Sequence, residues 1–208
     1  MHSMKTTLLI LFLLPGSLLA QTFITVQGGS NFRSGPFSLE PNVDYTNLWK
    51  SSTTAIGAVD FILNRPFAIS TSFEYDNYPF EGKPIWLVTI PEYQLKSYSG
   101  STSRIYRITI EGKLRPPTVG HFSLYLVSGV SYIIEHIGDL SYTEGDPSGP
   151  DYHYSYPNQS SDYWAHTLGF GFQYSFSEQL GVDFTAKYFS NYSTHFHKLV
   201  ALGLFYEL

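Results

Sequence analysis

Bulky and small residues alternate strictly in the stretch WAHTLGFGFQYSF, residues 164–176. Large side chains occupy the even positions from Trp164 to Phe176, and small or uncharged polar side chains occupy the odd positions. A period of two predicts a β-strand whose two faces differ in chemistry. The alternation alone does not tell which face is buried, because a soluble β-protein buries its bulky face whereas a barrel that spans a membrane turns that face to lipid.

The same period of two recurs along the chain from Gln21 onward, with almost no helical periodicity. It predicts an all-β chain whose strands have about the length that a tilted membrane strand requires. The eight predicted strands are residues 22–29, 53–63, 66–75, 103–114, 119–134, 161–175, 179–190 and 195–208.

The connections between the predicted strands differ in length. Short turns with Asn, Pro or Ser chemistry join strands two and three, four and five, and six and seven. The other connections are the long segments 30–52, 76–102 and 135–160 and the brief segment 191–194. Short turns at one end and long loops at the other are typical of an up-and-down barrel in an outer membrane, with the turns on the periplasmic side.

The charged residues of the predicted strands share one face with small residues. In IYRITIEGKL, residues 105–114, Arg107 and Glu111 lie on the face opposite Tyr106 and Ile108. Small residues suit the narrow interior of an eight-stranded barrel, and mixed charges can pair there. We therefore predict a polar network in the lumen, formed by Asp60, Glu74, Arg107, Glu111, Lys113, Asp183 and Lys187.

The aromatic residues of the bulky face fall at two heights along the predicted barrel. Two aromatic belts that flank an aliphatic band are what the two interfaces of a bilayer select. Lys198, next to the last loop, can extend its charge to the interface. The predicted interface aromatics are Tyr75, Tyr106, Tyr132, Trp164 and Tyr188 near the loop end, and Tyr174 and Tyr206, with Phe61, Phe67 and Phe122, near the turn end.

The composition narrows the class of protein. Charged residues make up 14% of the chain, against about 25% in ordinary soluble domains, and aromatic residues reach 17%. The formal net charge of −5 argues against a nucleic-acid partner, which would require a clustered basic patch. The absence of Cys excludes disulfide scaffolds, zinc–thiolate sites and thiol catalysis.

The first residues predict export. Lys5 precedes the apolar run 8–14, the sequence Pro-Gly-Ser at 15–17 ends that run, and Ala20 suits the position before a cut. This pattern is typical of a signal peptide over residues 1–20, and the run is too short for a spanning helix. The remaining residues, 21–208, are predicted to form one barrel domain.

The last segment supports a membrane barrel. KLVALGLFYEL, residues 198–208, alternates up to Leu208 and resembles the C-terminal strand of bacterial outer-membrane barrels, which usually ends in an aromatic residue. With its leader and eight strands, the chain resembles the small eight-stranded family typified by the membrane domain of outer membrane protein A. The resemblance implies a transmembrane antiparallel β-barrel in a Gram-negative-type outer membrane, contact with outer-membrane lipid and lipopolysaccharide, insertion by the barrel assembly machinery, and often no enzymatic activity.

Three patterns in the sequence raise the question of a catalytic or metal site. KYFSNYS, residues 187–193, is similar to the H-x-S-N stretch of lipid A 3-O-deacylases, but Tyr188 replaces the essential His and cannot act as base to Ser190. His195 and His197 share a face without an evident third ligand. The acidic residues of the third long loop lack the spacing of a known cation loop; they are Asp139, Glu144, Asp146 and Asp151. We predict no catalytic residue, metal or cofactor.

These patterns favour a non-enzymatic outer-membrane barrel with a structural or surface-recognition role. Its long loops carry candidate contacts at Trp49, Trp86, Tyr152, Tyr154 and Tyr156. One alternative is a lipid-modifying enzyme or a narrow channel on the same scaffold. Another is a soluble periplasmic β-barrel that binds an apolar ligand, with its bulky face inward.

Overall fold

A computed structural model describes residues 22–34, 43–44, 51–64, 66–80, 85–86, 94–116, 119–145, 149–191 and 196–208. The predicted signal peptide, residues 1–20, lies outside these ranges. The described residues contain thirteen strands. In chain order they are β1 (Thr22–Ser34), β2 (Val43–Asp44), β3 (Ser51–Asn64), β4 (Phe67–Tyr78), β5 (Ile85–Trp86), β6 (Gln94–Gly100), β7 (Ser103–Leu114), β8 (Phe122–Ile137), β9 (Leu140–Gly145), β10 (Asp151–Tyr156), β11 (Gln159–Ser175), β12 (Leu180–Ser190) and β13 (Phe196–Glu207).

Eight of these strands form a closed antiparallel barrel, which confirms the predicted fold class. The order around the barrel is β1-β13-β12-β11-β8-β7-β4-β3. Each strand pairs with its sequence neighbours in the barrel, and β1 closes the sheet by pairing with β13 from Phe23↔Glu207 to Ser34↔Phe196. Closure leaves the barrel sheet without an edge strand, so the backbone groups along the wall are paired within the protein.

The strands correspond to the eight predicted ones, but several continue further toward the loop end. β1 runs to Ser34 instead of residue 29, β4 to Tyr78 instead of residue 75, and β8 to Ile137 instead of residue 134. In β4 the alternation of buried and exposed residues simply continues past Tyr75. Asp76, which the loop lengths assign to a connection, therefore belongs to the barrel wall.

A small sheet extends the barrel at its loop end, within segments predicted to be loops. β6, β9 and β10 form three antiparallel strands in the order β10-β9-β6. The Tyr142 ring of β9 stacks on Tyr154 of β10 with centroids 4.9 Å apart. Phe80, which follows β4, lies 6.0 Å from the ring of Tyr98 in β6. We call these three strands the extension sheet.

The extension sheet contributes to an apolar cluster. Leu140 and Tyr142 of β9 are buried in the same cluster as Tyr78, Ile105 and Ile133 of the barrel strands. Ile105 and Ile133 alternate with outward-facing residues of β7 and β8, in step with the polar inward residues, so they lie on the lumen side of the wall. Apolar packing at the loop end therefore ties the extension sheet to the barrel.

The two faces of the barrel have inverted polarity. Inward side chains such as Asp60, Glu74 and Arg107 are fully buried, whereas Trp164 is 67% exposed and Leu168 64% exposed on the outside. In the stretch 164–176 the odd-numbered small residues point inward and the even-numbered bulky residues point outward. The bulky face of this stretch is the outer surface of the barrel.

Among the described residues, no helix has the length and apolar character needed to cross a membrane.

Candidate functional site: the charged lumen network

Arg107 in β7 forms the centre of the network near the loop end. Its guanidinium lies 3.3 Å from a carboxylate oxygen of Glu74 and 2.5 Å from one of Asp76, both on the neighbouring strand β4. The guanidinium carbon also sits 4.7 Å from the centre of the Phe189 ring, across the lumen on β12. Arg107, Glu74 and Asp76 are each 0% exposed. A buried cation is thus held between two carboxylates and one aromatic face.

Lys187 on β12 joins this cluster from the other side of the barrel. Its ammonium group lies 3.2 Å from an oxygen of Glu74 and 3.2 Å from an oxygen of Glu111. Glu74 therefore contacts two cations, Arg107 on the adjacent strand and Lys187 on a strand that is not its neighbour. The ion pairs cross the lumen and connect opposite walls of the barrel.

A second cluster lies nearer the turn end. The ammonium group of Lys113 donates to both carboxylate oxygens of Asp60, at 2.9 and 2.8 Å. The same ammonium is 4.9 Å from the centre of the Tyr125 ring. Asp60 is fully buried and Lys113 is 6% exposed, so this pair is also shielded from solvent.

Asp183 is satisfied by neutral donors. Its Oδ1 accepts hydrogen bonds from the Gln27 amide at 2.6 Å and the Tyr125 hydroxyl at 2.8 Å. Thr185 donates to the same oxygen at 2.9 Å, and the Gln173 amide donates to Oδ2 at 2.6 Å. Four donors from four strands thus converge on one buried carboxylate, which is the arrangement that compensates the loss of its hydration.

Inward glycines make room for this convergence. A Cβ on Gly171 would overlap the hydroxyl end of Tyr125, and a Cβ on Gly169 would lie 3.0 Å from Val127. Both glycines belong to the small face of the stretch 164–176. Because they carry no side chain, Tyr125 on β8 can reach over β11 to Asp183 on β12.

Substituting Gly171 by Ala is expected to destabilise the barrel by about 1–3 kcal/mol, because the added methyl group overpacks a filled interior. The matched control is Gly57→Ala on the outer face, where a Cβ would meet nothing within 4 Å. Urea unfolding of the two variants in detergent micelles measures the difference. Equal stabilities for both variants would mean that the Tyr125 side chain does not fill this space.

The structure brings all seven charged residues predicted for the network into the lumen, together with partners that the charge pattern did not indicate. Asp76 is the clearest network residue that the sequence analysis missed. Its position could have indicated it, because it lies two residues after Glu74 on the same face of β4. Gln27, Tyr125 and Gln173 carried no such signal. Their role depends on distances between strands, which the sequence of one strand does not predict.

The predicted interface aromatics lie on the outer surface, and four of them form two contacting pairs. Near the loop end, the rings of Tyr75 and Tyr106 are 5.3 Å apart and those of Tyr132 and Trp164 are 5.1 Å apart. The Tyr188 ring stacks on Phe196 at 5.7 Å. Near the turn end, Tyr174 and Tyr206 are 45% and 43% exposed.

The structure assembles no deacylase-like site from the residues it describes. Tyr188 points outward, Ser190 follows it with a half-buried side chain, and His197 is buried in the lumen with its Nε2 3.2 Å from the Tyr163 hydroxyl. Phe189 is the register partner of His197, whereas Ser190 pairs with Phe196, so Ser190 and His197 occupy opposite faces of the wall. His195 lies outside the described residues.

Nor do the described residues contain a metal-binding cluster of three or more His, Asp or Glu side chains. Asp139 and Asp151 are exposed, while the Glu144 side chain and Asp146 lie outside the description. The acidic loop therefore offers no described set of convergent oxygen ligands.

The candidate recognition aromatics of the loops have different environments. Tyr152 in β10 is 43% exposed. Tyr154 and Tyr156 are half-buried and pack on Tyr142, with Tyr156 at 6.1 Å. Trp49 and the side chain of Trp86 lie outside the described residues. Of the three candidate side chains that the structure describes, Tyr152 is thus the best placed for an external contact.

Comparison with known proteins identifies the fold. No protein-family model matches the chain, and no curated protein matches it. Among solved structures, Ail, the attachment invasion locus protein of Yersinia pestis, is 14% identical with a TM-score of 0.55, covering 90% of this chain and 98% of that one. Neisserial surface protein A is 14% identical with a TM-score of 0.51, covering 89% and 96%.

A third similar structure is a major outer membrane protein from Thermus thermophilus. It is 12% identical with a TM-score of 0.52 and covers 91% of this chain and 100% of that chain. At such identities the likeness concerns the fold. The chain has the fold of the small eight-stranded outer-membrane barrels, over nearly its whole length.

Proposed function

We propose that the protein is a non-enzymatic integral outer-membrane β-barrel whose loop end serves a structural or recognition role at the cell surface. The observation that carries the proposal is the inverted polarity of the barrel. Charged residues fill the inside, and large apolar residues such as Leu126, Phe170 and Leu202 stand exposed outside. A surface of this kind is stable against lipid acyl chains and unfavourable against water.

The height of the aromatic residues supports a membrane position. The outward band of aliphatic residues lies between Tyr132 and Trp164 on the loop side and Tyr174 and Tyr206 on the turn side. Their amphipathic rings suit the headgroup regions of a bilayer. In this orientation the turns face the periplasm, the extension sheet projects from the cell, and residues 1–20 act as a cleaved signal peptide before insertion by the barrel assembly machinery.

The charged network fills the lumen, which argues against an open channel. Arg107 and Lys113 bind buried carboxylates on nearby strands, and Lys187 binds one on the opposite wall of the lumen. An eight-stranded barrel leaves an interior just wide enough for its own side chains. The network therefore fills the lumen as a core does. A soluble barrel with an apolar ligand inside would need the opposite distribution of polar and bulky residues.

The recognition role is proposed for the extension sheet. It holds Tyr152 exposed on β10 and is anchored to the barrel through Leu140 and Tyr142. Of the similar structures, one is an attachment invasion locus protein and another a surface protein. By analogy, the loop end of this chain is the surface on which a contact would occur.

Gel mobility with and without heating tests the membrane proposal. We expect protein extracted from envelopes with detergent to migrate differently in SDS when it is not boiled, because a closed barrel without an edge strand resists the detergent. Boiling should abolish the difference. Release into buffer without detergent, together with one mobility under both conditions, would contradict the proposal.

A further inference from the structure

A polar pocket lies on the outside of the barrel where the extension sheet begins. Its volume is about 650 Å³, within the range of small-molecule sites. It is lined by side chains from the ends of β7, β8 and β11 and from the connections beyond them. The lining residues used below are Thr102, Arg104, Tyr106, His136, Asn158 and Ser160.

A guanidinium and an imidazole lie side by side in this pocket. Arg104 and His136 are direct register partners on β7 and β8, and both are exposed. Among the described residues Arg104 forms no ion pair. The nearby outward acid Asp162 instead accepts a hydrogen bond from the Tyr132 hydroxyl at 2.7 Å. The guanidinium is therefore available to an external anion.

The remaining lining groups suit a sugar. Thr102, Asn158 and Ser160 supply hydroxyl and amide groups that can donate and accept hydrogen bonds. Ser160 on β11 is the register partner of His136 on β8, so its hydroxyl-bearing side chain lies in the same row as Arg104 and His136. A ligand with both an anionic group and several hydroxyls would use all of these partners.

The pocket stands directly above the aromatic belt at the loop end. Tyr106 forms its lower wall, and its ring lies 5.8 Å from that of His136 and 5.3 Å from that of Tyr75. If the belt marks the outer interface of the bilayer, the pocket lies at the height of the lipid headgroups. A ligand anchored there can keep its acyl chains against Ile108 and Ile110, which are 52% and 48% exposed below.

We propose that this pocket binds the phosphorylated sugar headgroup of an outer-leaflet glycolipid, with Arg104 as the bidentate phosphate ligand. Guanidinium groups match phosphate oxygens in geometry and charge. His136 donates a further hydrogen bond, and the hydroxyl and amide groups bind the sugar. The inference rests on the proposed function, because it requires the loop end to lie in the outer leaflet.

Native mass spectrometry of the refolded barrel in detergent micelles tests the inference. The probes are bisphosphorylated lipid A, the same lipid after removal of its phosphates, and soluble glucose 1-phosphate. We expect Arg104→Gln to weaken the binding of bisphosphorylated lipid A by about tenfold or more, as loss of a charge-assisted hydrogen-bonded pair implies. The control Lys198→Gln, an exposed cation on the outer face of β13, should change it less than about twofold, because a screened surface charge contributes little.

Each probe separates one part of the inference. Equal binding by the wild type and R104Q, or equal binding of dephosphorylated lipid A, would overturn the phosphate site. Competition by glucose 1-phosphate at the same concentration as lipid A would indicate a site for free sugar phosphates, and would overturn the lipid assignment. The heat-dependent gel shift separates this inference from the proposed function. If R104Q keeps the shift, the membrane proposal stands whether or not the variant binds lipid A. Absence of the shift in the wild type contradicts the proposed function itself.

Discussion

Substituting Arg107 by Met is expected to lower the free energy of unfolding of the barrel by about 3–5 kcal/mol. The side chain is fully buried and its charge is shared between Glu74 and Asp76. Without it, Asp76 retains the hydroxyl of Thr54 and the amide of Asn31, but no cation among the described residues. Glu74 retains Lys187 at 3.2 Å. The cost comes from leaving a buried carboxylate without its counter-charge.

The measurement is urea unfolding of the barrel inserted in phosphatidylcholine vesicles, followed by tryptophan fluorescence. Lys198→Met is the control, because it removes an exposed cation near the same end of the barrel, and we expect it to change the stability by less than about 1 kcal/mol. The double variant Asp76→Asn/Arg107→Met should recover part of the loss, since the unpaired carboxylate is then neutral. An R107M barrel as stable as the control would mean that the ion pairs do not hold the lumen together.

The fold was largely predictable because a barrel wall repeats one local rule. Residues i and i+2 share a face along every strand, so the polarity of the faces can be read separately in each segment. The charged face of residues 105–114 predicted the lumen positions of Arg107, Glu111 and Lys113, and all three are buried there. Loop lengths then supplied the antiparallel order that the register confirms.

The partners within the lumen were not predictable in this way. Glu74 contacts Lys187 although the two residues lie on strands that are not neighbours. Which inward side chains meet depends on the register around the whole barrel and on the space that Gly171 leaves for Tyr125. The opposite charges of the inward side chains indicated that they would form ion pairs. Only the three-dimensional arrangement shows which side chains pair with each other.

The extension sheet was missed for a different reason. LSYTEG and DYHYSY lie in a stretch rich in Tyr, Ser and Gly, between residues whose composition is typical of surface loops. Their pairing is local, with Tyr142 opposite Tyr154, but short polar strands carry little periodic signal. The consequence is functional, because the candidate recognition surface is an ordered sheet continuous with the strands that line the proposed headgroup pocket.

A charge on the outer face is also expected to have a large effect. Leu126→Arg should destabilise the membrane-inserted barrel by about 2–4 kcal/mol. Leu126 is 55% exposed, and its register partners are the outward residues Leu114 and Phe170. Along β8 it lies between the belt residues Phe122 and Tyr132. An arginine there would face acyl chains, and neither of these register partners is acidic. The side chain would have to extend its charge to an interface, which costs free energy.

Val119→Arg is the matched control for depth. Val119 is 80% exposed in the turn before β8, beyond the aromatic residues of the turn end, and the same substitution there should cost no more than about 1 kcal/mol. Both variants are compared by urea unfolding from phosphatidylcholine vesicles. A soluble barrel would tolerate arginine at either exposed site within about 0.5 kcal/mol. Equal stabilities of L126R and V119R would therefore contradict the membrane position of the bulky face, whereas the expected depth dependence would locate the hydrocarbon core between the two aromatic belts.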